Sequence, residues 1–286
     1  MLAGPIADVV AFTNGAIQSL LLLPLIGILA GTFGGMLGVG GGLIMIPMLV
    51  LILGRPFGQD SLHVYKLASL ISSVLLSLPA ARRHAQLRAL HFGIIGAYLP
   101  AALVGVALGT FASSLLTREL TPVLQRIFGA FLLFVVAYSA LRDFGPAALQ
   151  AVRASACPMP SRRLLLGACV GLPAGIMAGL LGVGGGIWAV PVQHQLFGIR
   201  LQNAIANSTA MIVGVAAAAA LAQGVAVSRL PDVSVSSGAW LALWLAPGAI
   251  LGGPIGAWLT HRMHTFWLRQ AFHVVLTISA FELLRK

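Results

Sequence analysis

Two stretches of this chain hold residues whose type and spacing suit chemistry. Gly35-Met36-Leu37-Gly38-Val39-Gly40-Gly41-Gly42 recurs 144 positions on as Gly179-Leu180-Leu181-Gly182-Val183-Gly184-Gly185-Gly186, and each copy is followed five residues later by a proline, Pro47 or Pro191. A glycine costs a helix about 1 kcal/mol against alanine, so such a run inside an apolar segment needs a reason. Close packing is one, because small residues let helices approach in lipid. A broken helix is the other. Gly38, Gly40, Gly41 and Gly42, with their counterparts Gly182, Gly184, Gly185 and Gly186, can take backbone angles closed to other residues. That bares successive amides and the N-terminus of the segment that follows, an arrangement that binds anions. The motif occurs twice and each copy precedes a short apolar segment, so we read both runs as turns of this second kind, with Pro47 and Pro191 as hinges. A nucleotide loop does not fit: no Gly-Lys-Ser/Thr follows the glycines and no acidic residue stands at the dinucleotide spacing.

Polar side chains within apolar segments are costly in lipid and mark candidate sites. Lys66 begins one such segment, where it either snorkels to the interface or offers a cation to an anion path. Ser69, and with it Ser72 and Ser73, can donate hydrogen bonds to an anion, as can Asn207, Ser208 and Thr209; bonding helix to helix is the alternative. Gln193 and His194 close the second short segment beside Gln195, where they either stand at the membrane interface, as boundary residues do, or form a gate or a proton relay. His63, His84, His91, His261 and His264 read as loop residues, and His273 as a bond between helices. The acids Asp8, Asp60, Glu119, Asp143 and Asp232 fall at loop or terminal positions, and Glu282 near the end of the last segment. Paired carboxylates, a nucleophile set and metal-ligand spacing are all missing from the sequence, which argues against a membrane enzyme. Cys157 and Cys169 are isolated. The pattern calls for no metal and no cofactor.

The elements that would position these residues are helices in lipid. Of 286 residues 59% are hydrophobic and 8% charged, a balance that no water-exposed surface sustains. Apolar segments run at 20–37, 43–53, 64–81, 92–113 and 122–141, then at 164–181, 187–197, 204–222, 239–259 and 266–284. Unpaired strands cannot cross lipid and no alternating barrel pattern appears, so these are helices. Segments 43–53 and 187–197 reach only about 16 Å, roughly half the hydrocarbon thickness, and read as half-helices. The organisation expected is an N-terminal segment 1–17, a first membrane repeat 18–142, a basic linker 143–163 and a second repeat 164–286. If each glycine run turns the chain back, each half holds five segments and the halves are inverted. If it only interrupts one crossing, each half holds four and they are parallel. An arginine-rich connection at 82–91 placed inside, and an N-terminus free of Lys and Arg placed outside, favour the odd count. The fold class expected is therefore an all-α integral membrane protein of two duplicated halves in inverted topology. The net charge of +11 does not point to nucleic acid, because Arg82, Arg83 and Arg88, and Arg142, Arg153, Arg162 and Arg163, cluster between apolar segments as cytoplasmic loops do.

The doubled GxxGVGGGxxxxP pattern, in two halves joined by a short basic linker, resembles the TauE/SafE family of sulfite exporters over almost the whole chain beyond residue 17. The resemblance implies a transporter of sulfite, thiosulfate or an organosulfonate, exporting by alternating access across the cytoplasmic (inner) membrane of a prokaryote. Its partners would be that anion, the lipid bilayer and further copies of the chain. An anion channel is the other reading of the same residues. Ala204-Ile205-Ala206-Asn207-Ser208-Thr209 is similar to the family's small, hydroxyl-rich segment after the half-helix. The first-half counterpart, Tyr65-Lys66-Leu67-Ala68-Ser69, departs from it at the lysine.

Overall fold

A computed structural model describes residues 17–53, 61–115, 163–229 and 233–285, with a few positions between 126 and 137. The expected segment at 122–141 apart from those positions, and the linker up to 162, lie outside the described residues. The helices are α1 (Ile17–Leu37), α2 (Gly42–Leu53), α3 (Ser61–Gln86), α4 (Phe92–Leu115), α5 (Leu164–Leu181), α6 (Gly186–Gln195), α7 (Leu201–Val227), α8 (Val235–Arg262) and α9 (Thr265–Arg285), and no strand occurs among the described residues. Five of them, α3, α4, α5, α7 and α8, are long and apolar enough to cross a membrane. Their apolar character continues on the outer surface, where Leu25, Leu103, Leu108, Leu221, Leu243 and Leu251 are exposed. In lipid such leucines carry no penalty, and the backbone polar groups of a helix interior are paired within the helix.

Two helices stop where hydropathy would let them continue. α1 ends at Leu37 and α2 begins at Gly42; α5 ends at Leu181 and α6 begins at Gly186. The cause is backbone conformation: φ is +66° at Gly38 and +84° at Gly40, and +74°, +76° and +78° at Gly182, Gly184 and Gly185. Side-chain-bearing residues rarely enter this region. Pro47 and Pro191 lie inside α2 and α6. Lacking an N–H, they leave the carbonyls four residues before them, those of Leu43 and Ile187, without a helical donor. In α5 the span Gly167–Gly171 takes the wider π form, and the indole Nε1 of Trp188 on α6 donates to the Cys169 carbonyl there at 2.7 Å.

Helix directions follow from which residues meet. Gly27 of α1 lies against Leu245 and Ala249 of α8, Gly31 against Ala249 and Gly252, and Gly35 against Gly253, so α1 and α8 run parallel. Leu67 of α3 faces Gly238 of α8, Leu76 faces Gly253 and His84 meets His261, which makes α3 parallel to α8 as well. Gly171 and Gly175 of α5 press on Tyr98 and Ala102 of α4, and Gly179 presses on Val106 and Thr110, again a parallel pair. α7 follows α4: the Asn207 side chain meets His91, and Gly214 meets Leu99. Hence α1, α3 and α8 run one way, and α4, α5 and α7 the other. Glycine makes the α1–α8 and α4–α5 seams this close, since a Cβ at these positions would land on the facing backbone.

Candidate functional site

The two glycine turns meet each other. A Cβ at Gly186 would strike the Gly38 carbonyl oxygen, one at Gly42 would lie 2.6 Å from the Gly182 oxygen, and one at Gly40 would lie 3.1 Å from the Val183 oxygen. The C-terminal ends of α1 and α5 and the N-terminal ends of α2 and α6 therefore converge on one backbone crossing, flanked by α3 and α7. Lys66 on α3 packs on Gly182, and Ile205 on α7 packs on Gly38. This sets the register between Tyr65-Lys66-Leu67-Ala68-Ser69 and the 204–209 stretch: Lys66 answers Ile205 and Ser69 answers Ser208.

The crossing treats donors and acceptors unequally. The carbonyl ends are answered by side chains. Lys66 Nζ donates to the Leu180 oxygen at 2.8 Å, and Ser208 Oγ to the Gly38 oxygen at 2.7 Å. Ser69 Oγ lies 3.1 Å from the Gly182 oxygen and 2.9 Å from that of Lys66, and Thr260 Oγ1 donates to the Met36 oxygen at 2.8 Å. The amides are less engaged. Gly38 N–H donates to the Gly34 carbonyl at 2.9 Å, Gly182 N–H to that of Ala178 at 3.0 Å, and Gly41 N–H to Ser73 Oγ at 3.1 Å. Among the described residues, no group accepts from the amides of Gly40, Gly42, Gly184, Gly185 or Gly186. With the negative ends of α1 and α5 quenched and the N-termini of α2 and α6 left open, the local field favours negative charge.

The remaining candidates fall into two groups. Thr209 Oγ1 turns back to the Ile205 carbonyl of its own helix at 2.9 Å. Gln193, expected at a boundary, is fully buried and joins Asn207, whose Nδ2 donates to Gln193 Oε1 at 3.3 Å. Asn207 Oδ1 accepts from the His91 amide at 2.9 Å, and the Tyr98 hydroxyl donates to the Asn207 carbonyl at 2.8 Å. His194 Nδ1 lies 2.8 Å from the Ile199 carbonyl, which ties the end of α6 to the connection that follows. Three histidines expected in loops belong to helices instead. His63 begins α3 and lies 3.0 Å from Gln223 Nε2, while His84 is wholly buried near the end of α3, with Nδ1 3.0 Å from His261 Nε2 on α8. Hydropathy placed them outside because their helices continue past the apolar core into polar residues. Sequence reasoning missed Tyr98 and Thr260, which carry no charge and give no spacing signal. No group of three or more His, Cys, Asp or Glu able to hold a metal occurs among the described residues.

The chain is similar to known proteins along most of its length. The family model for the sulfite exporter TauE/SafE matches residues 23–283. A probable membrane transporter protein, MamO, of Magnetospirillum gryphiswaldense is 24% identical over 294 residues, covering 94% of this chain and 45% of its own length. Probable membrane transporter protein YunE of Bacillus subtilis is 25% identical over 281 residues, 93% of this chain and 98% of its own. A probable membrane transporter protein of Haemophilus influenzae is 24% identical over 280 residues, 93% and 98%. The chain thus spans less than half of MamO and nearly all of the other two. No solved structure matches it. Since the match reaches from α1 into α9, the chain belongs to the sulfite exporter TauE/SafE family, and five of its described helices are long and apolar enough to cross a membrane.

Proposed function

We propose that the chain carries a small sulfur-containing anion, sulfite, thiosulfate or an organosulfonate, out across the cytoplasmic membrane by alternating access at the glycine crossing. The observation that carries this reading is the inequality at the crossing: Lys66, Ser69, Ser208 and Thr260 engage its carbonyls, while amides at the heads of two half-helices stay open. α1, α3, α7 and α8 contain no Asp or Glu, so nothing anionic on these helices opposes a negatively charged guest. Backbone-to-backbone contact between Gly38 and Gly186 supports a carrier over an open channel, the other reading of the sequence.

The halves, 18–142 and 164–286 about the linker, act as inverted repeats in this mechanism. The opposed directions of α1 and α5, of α3 and α7, and of α4 and α8 support the inversion, as do the matched contacts of Lys66 on Gly182 and Ile205 on Gly38. Arg82, Arg83, Arg88, Arg200 and Arg262 share one end of the bundle, which supports a cytoplasmic placement of that end by the positive-inside rule. One half rocking against the other would part the turns alternately toward each side, with Pro47 and Pro191 relaxing the half-helices. The test is flux in proteoliposomes loaded with sulfite, thiosulfate or taurine-like sulfonates. Saturable uptake with counterflow supports the carrier, linear non-saturating flux points to a channel, and no flux of any sulfur anion sinks the substrate assignment.

A further inference from the structure

Gln193 lies on α6 about 10 Å beyond the glycine crossing, two helical turns from Gly186. Among the described residues it carries the one buried side-chain amide left without a hydrogen-bond partner, at Nε2. A neutral amide inside a membrane protein normally has both ends satisfied, so an orphaned NH2 group there is expensive unless something else fills it.

Its orientation is fixed from outside. The backbone amide of His91 can only donate, and it reaches Asn207 Oδ1. Asn207 must then present Nδ2 on its other side, where it donates to Gln193 Oε1. Gln193 in turn directs its NH2 away from Asn207. Flipping either amide would set donor against donor. The Tyr98 hydroxyl, its own proton given to the Asn207 carbonyl, is the polar neighbour of the Gln193 amide. A chain of polarity therefore runs from a main-chain N–H to an unfilled donor. Asn203 and Asn207, four residues apart on one face of α7, connect the exposed end to the crossing: Asn203 Nδ2 lies 3.4 Å from His91 Nδ1 at the exposed end, and Ser208, beside Asn207, bonds the Gly38 carbonyl.

We propose that Gln193 Nε2 donates to an oxygen of the transported anion on its cytoplasmic approach to the crossing, with Asn207 and the His91 amide as positioning groups that keep this end a donor. The assignment rests on the transport reading above and names the residue that makes the approach select an anion. The donor is present on one side only. Leu49, 144 positions before Gln193, is apolar and fully buried, and so is Ala68, which stands to Lys66 as Asn207 stands to Ile205.

The test uses thiosulfate, which stays ionised from about pH 5 to pH 8, with the full chain in proteoliposomes and, in parallel, direct radioligand binding to purified protein. Gln193→Leu should raise KM and Kd about tenfold or more, the scale of a hydrogen bond to a charged partner, with the maximal rate and melting temperature held. Asn207→Asp supplies the readout that a merely structural role would not move. Protonated, its carboxyl donates to Gln193 Oε1 and preserves the orientation. Ionised, it accepts from Nε2 and turns the glutamine carbonyl toward the anion. Its KM should therefore climb about tenfold or more from pH 5 to pH 8, and the climb should shrink, to the part set by direct repulsion from the new carboxylate, when Gln193→Leu is added. The slope is taken relative to wild type. An unchanged KM in Gln193→Leu, or an Asn207→Asp profile parallel to wild type, overturns the assignment. Wild-type vesicles that move no sulfur anion overturn the transport reading instead, whereas working vesicles indifferent to Gln193 overturn only this inference.

Discussion

A single methyl group at Gly186 measures how tightly the two turns are locked. Gly186 lies outside the left-handed region, so alanine fits its backbone, but the new Cβ lands on the Gly38 carbonyl oxygen and nothing flexible can yield there. Either α6 retreats or the Gly38 peptide rotates, and rotation breaks the 2.7 Å bond from Ser208. Overpacking of this kind costs about 1–3 kcal/mol and the hydrogen bond about 0.5–1.5, while alanine's better helix propensity returns at most about 1. The expected net loss is about 1–3 kcal/mol, a large part of a membrane domain's margin. The control is Gly96→Ala within α4, where a Cβ meets nothing within 4 Å and only the propensity gain of about 1 kcal/mol remains. The same chemical change should thus lower the melting temperature at one site and raise it at the other. Thermal unfolding in a single detergent, followed by tryptophan fluorescence, reads the difference, and flux of the Gly186 variant should fall to background. Equal melting shifts for the two variants, or full flux through Gly186→Ala, would refute the argument that backbone contact holds the crossing shut.

Three further outcomes follow from the same geometry. Ser208→Ala and Ser69→Ala should each lose about 1 kcal/mol of stability through the freed carbonyls of Gly38 and Gly182, and the double variant should show near-additive loss in the same melts. Lys66→Met keeps the aliphatic stem on Gly182 but removes the donor to Leu180, so the melting temperature should fall while KM for the anion stays within about twofold; a large KM change would mean that the ammonium faces the path. Trp188→Phe frees the Cys169 carbonyl in the π turn and should cost about 1 kcal/mol, with faster hydrogen exchange confined to the start of α5.

The breaks in α1 and α5 were legible because only glycine tolerates the φ values found at Gly38, Gly40, Gly182, Gly184 and Gly185. Helix ends were less so. The segment expected at 64–81 runs from Ser61 to Gln86 and the one at 239–259 from Val235 to Arg262, since main-chain pairing continues through Arg82, Arg83 and His84 after hydropathy has stopped. Of the candidate site, the residue types were readable and the partners were not. Lys66 was visible as a charge within an apolar segment, but its acceptor, the Leu180 carbonyl, lies 114 residues away. Gln193 looked like a boundary residue until α7 brought Asn207 against it. The register between the 65–69 and 204–209 stretches could not be fixed by counting, because loops of unequal length precede them. The contacts of Lys66 and Ile205 on opposite glycine turns supply it.

The parallel seam between α1 and α8 joins the first described helix to the penultimate one. At about 5–20 residues per second, α1 emerges roughly 10–40 s before Val235 is translated, and for that time its strip of Gly27, Gly31 and Gly35 has no native mate. The newborn amino-terminal portion must therefore wait in the bilayer, shielded by lipid or by the insertion machinery, and a ribosome that stalls before α8 releases a product open to membrane proteases.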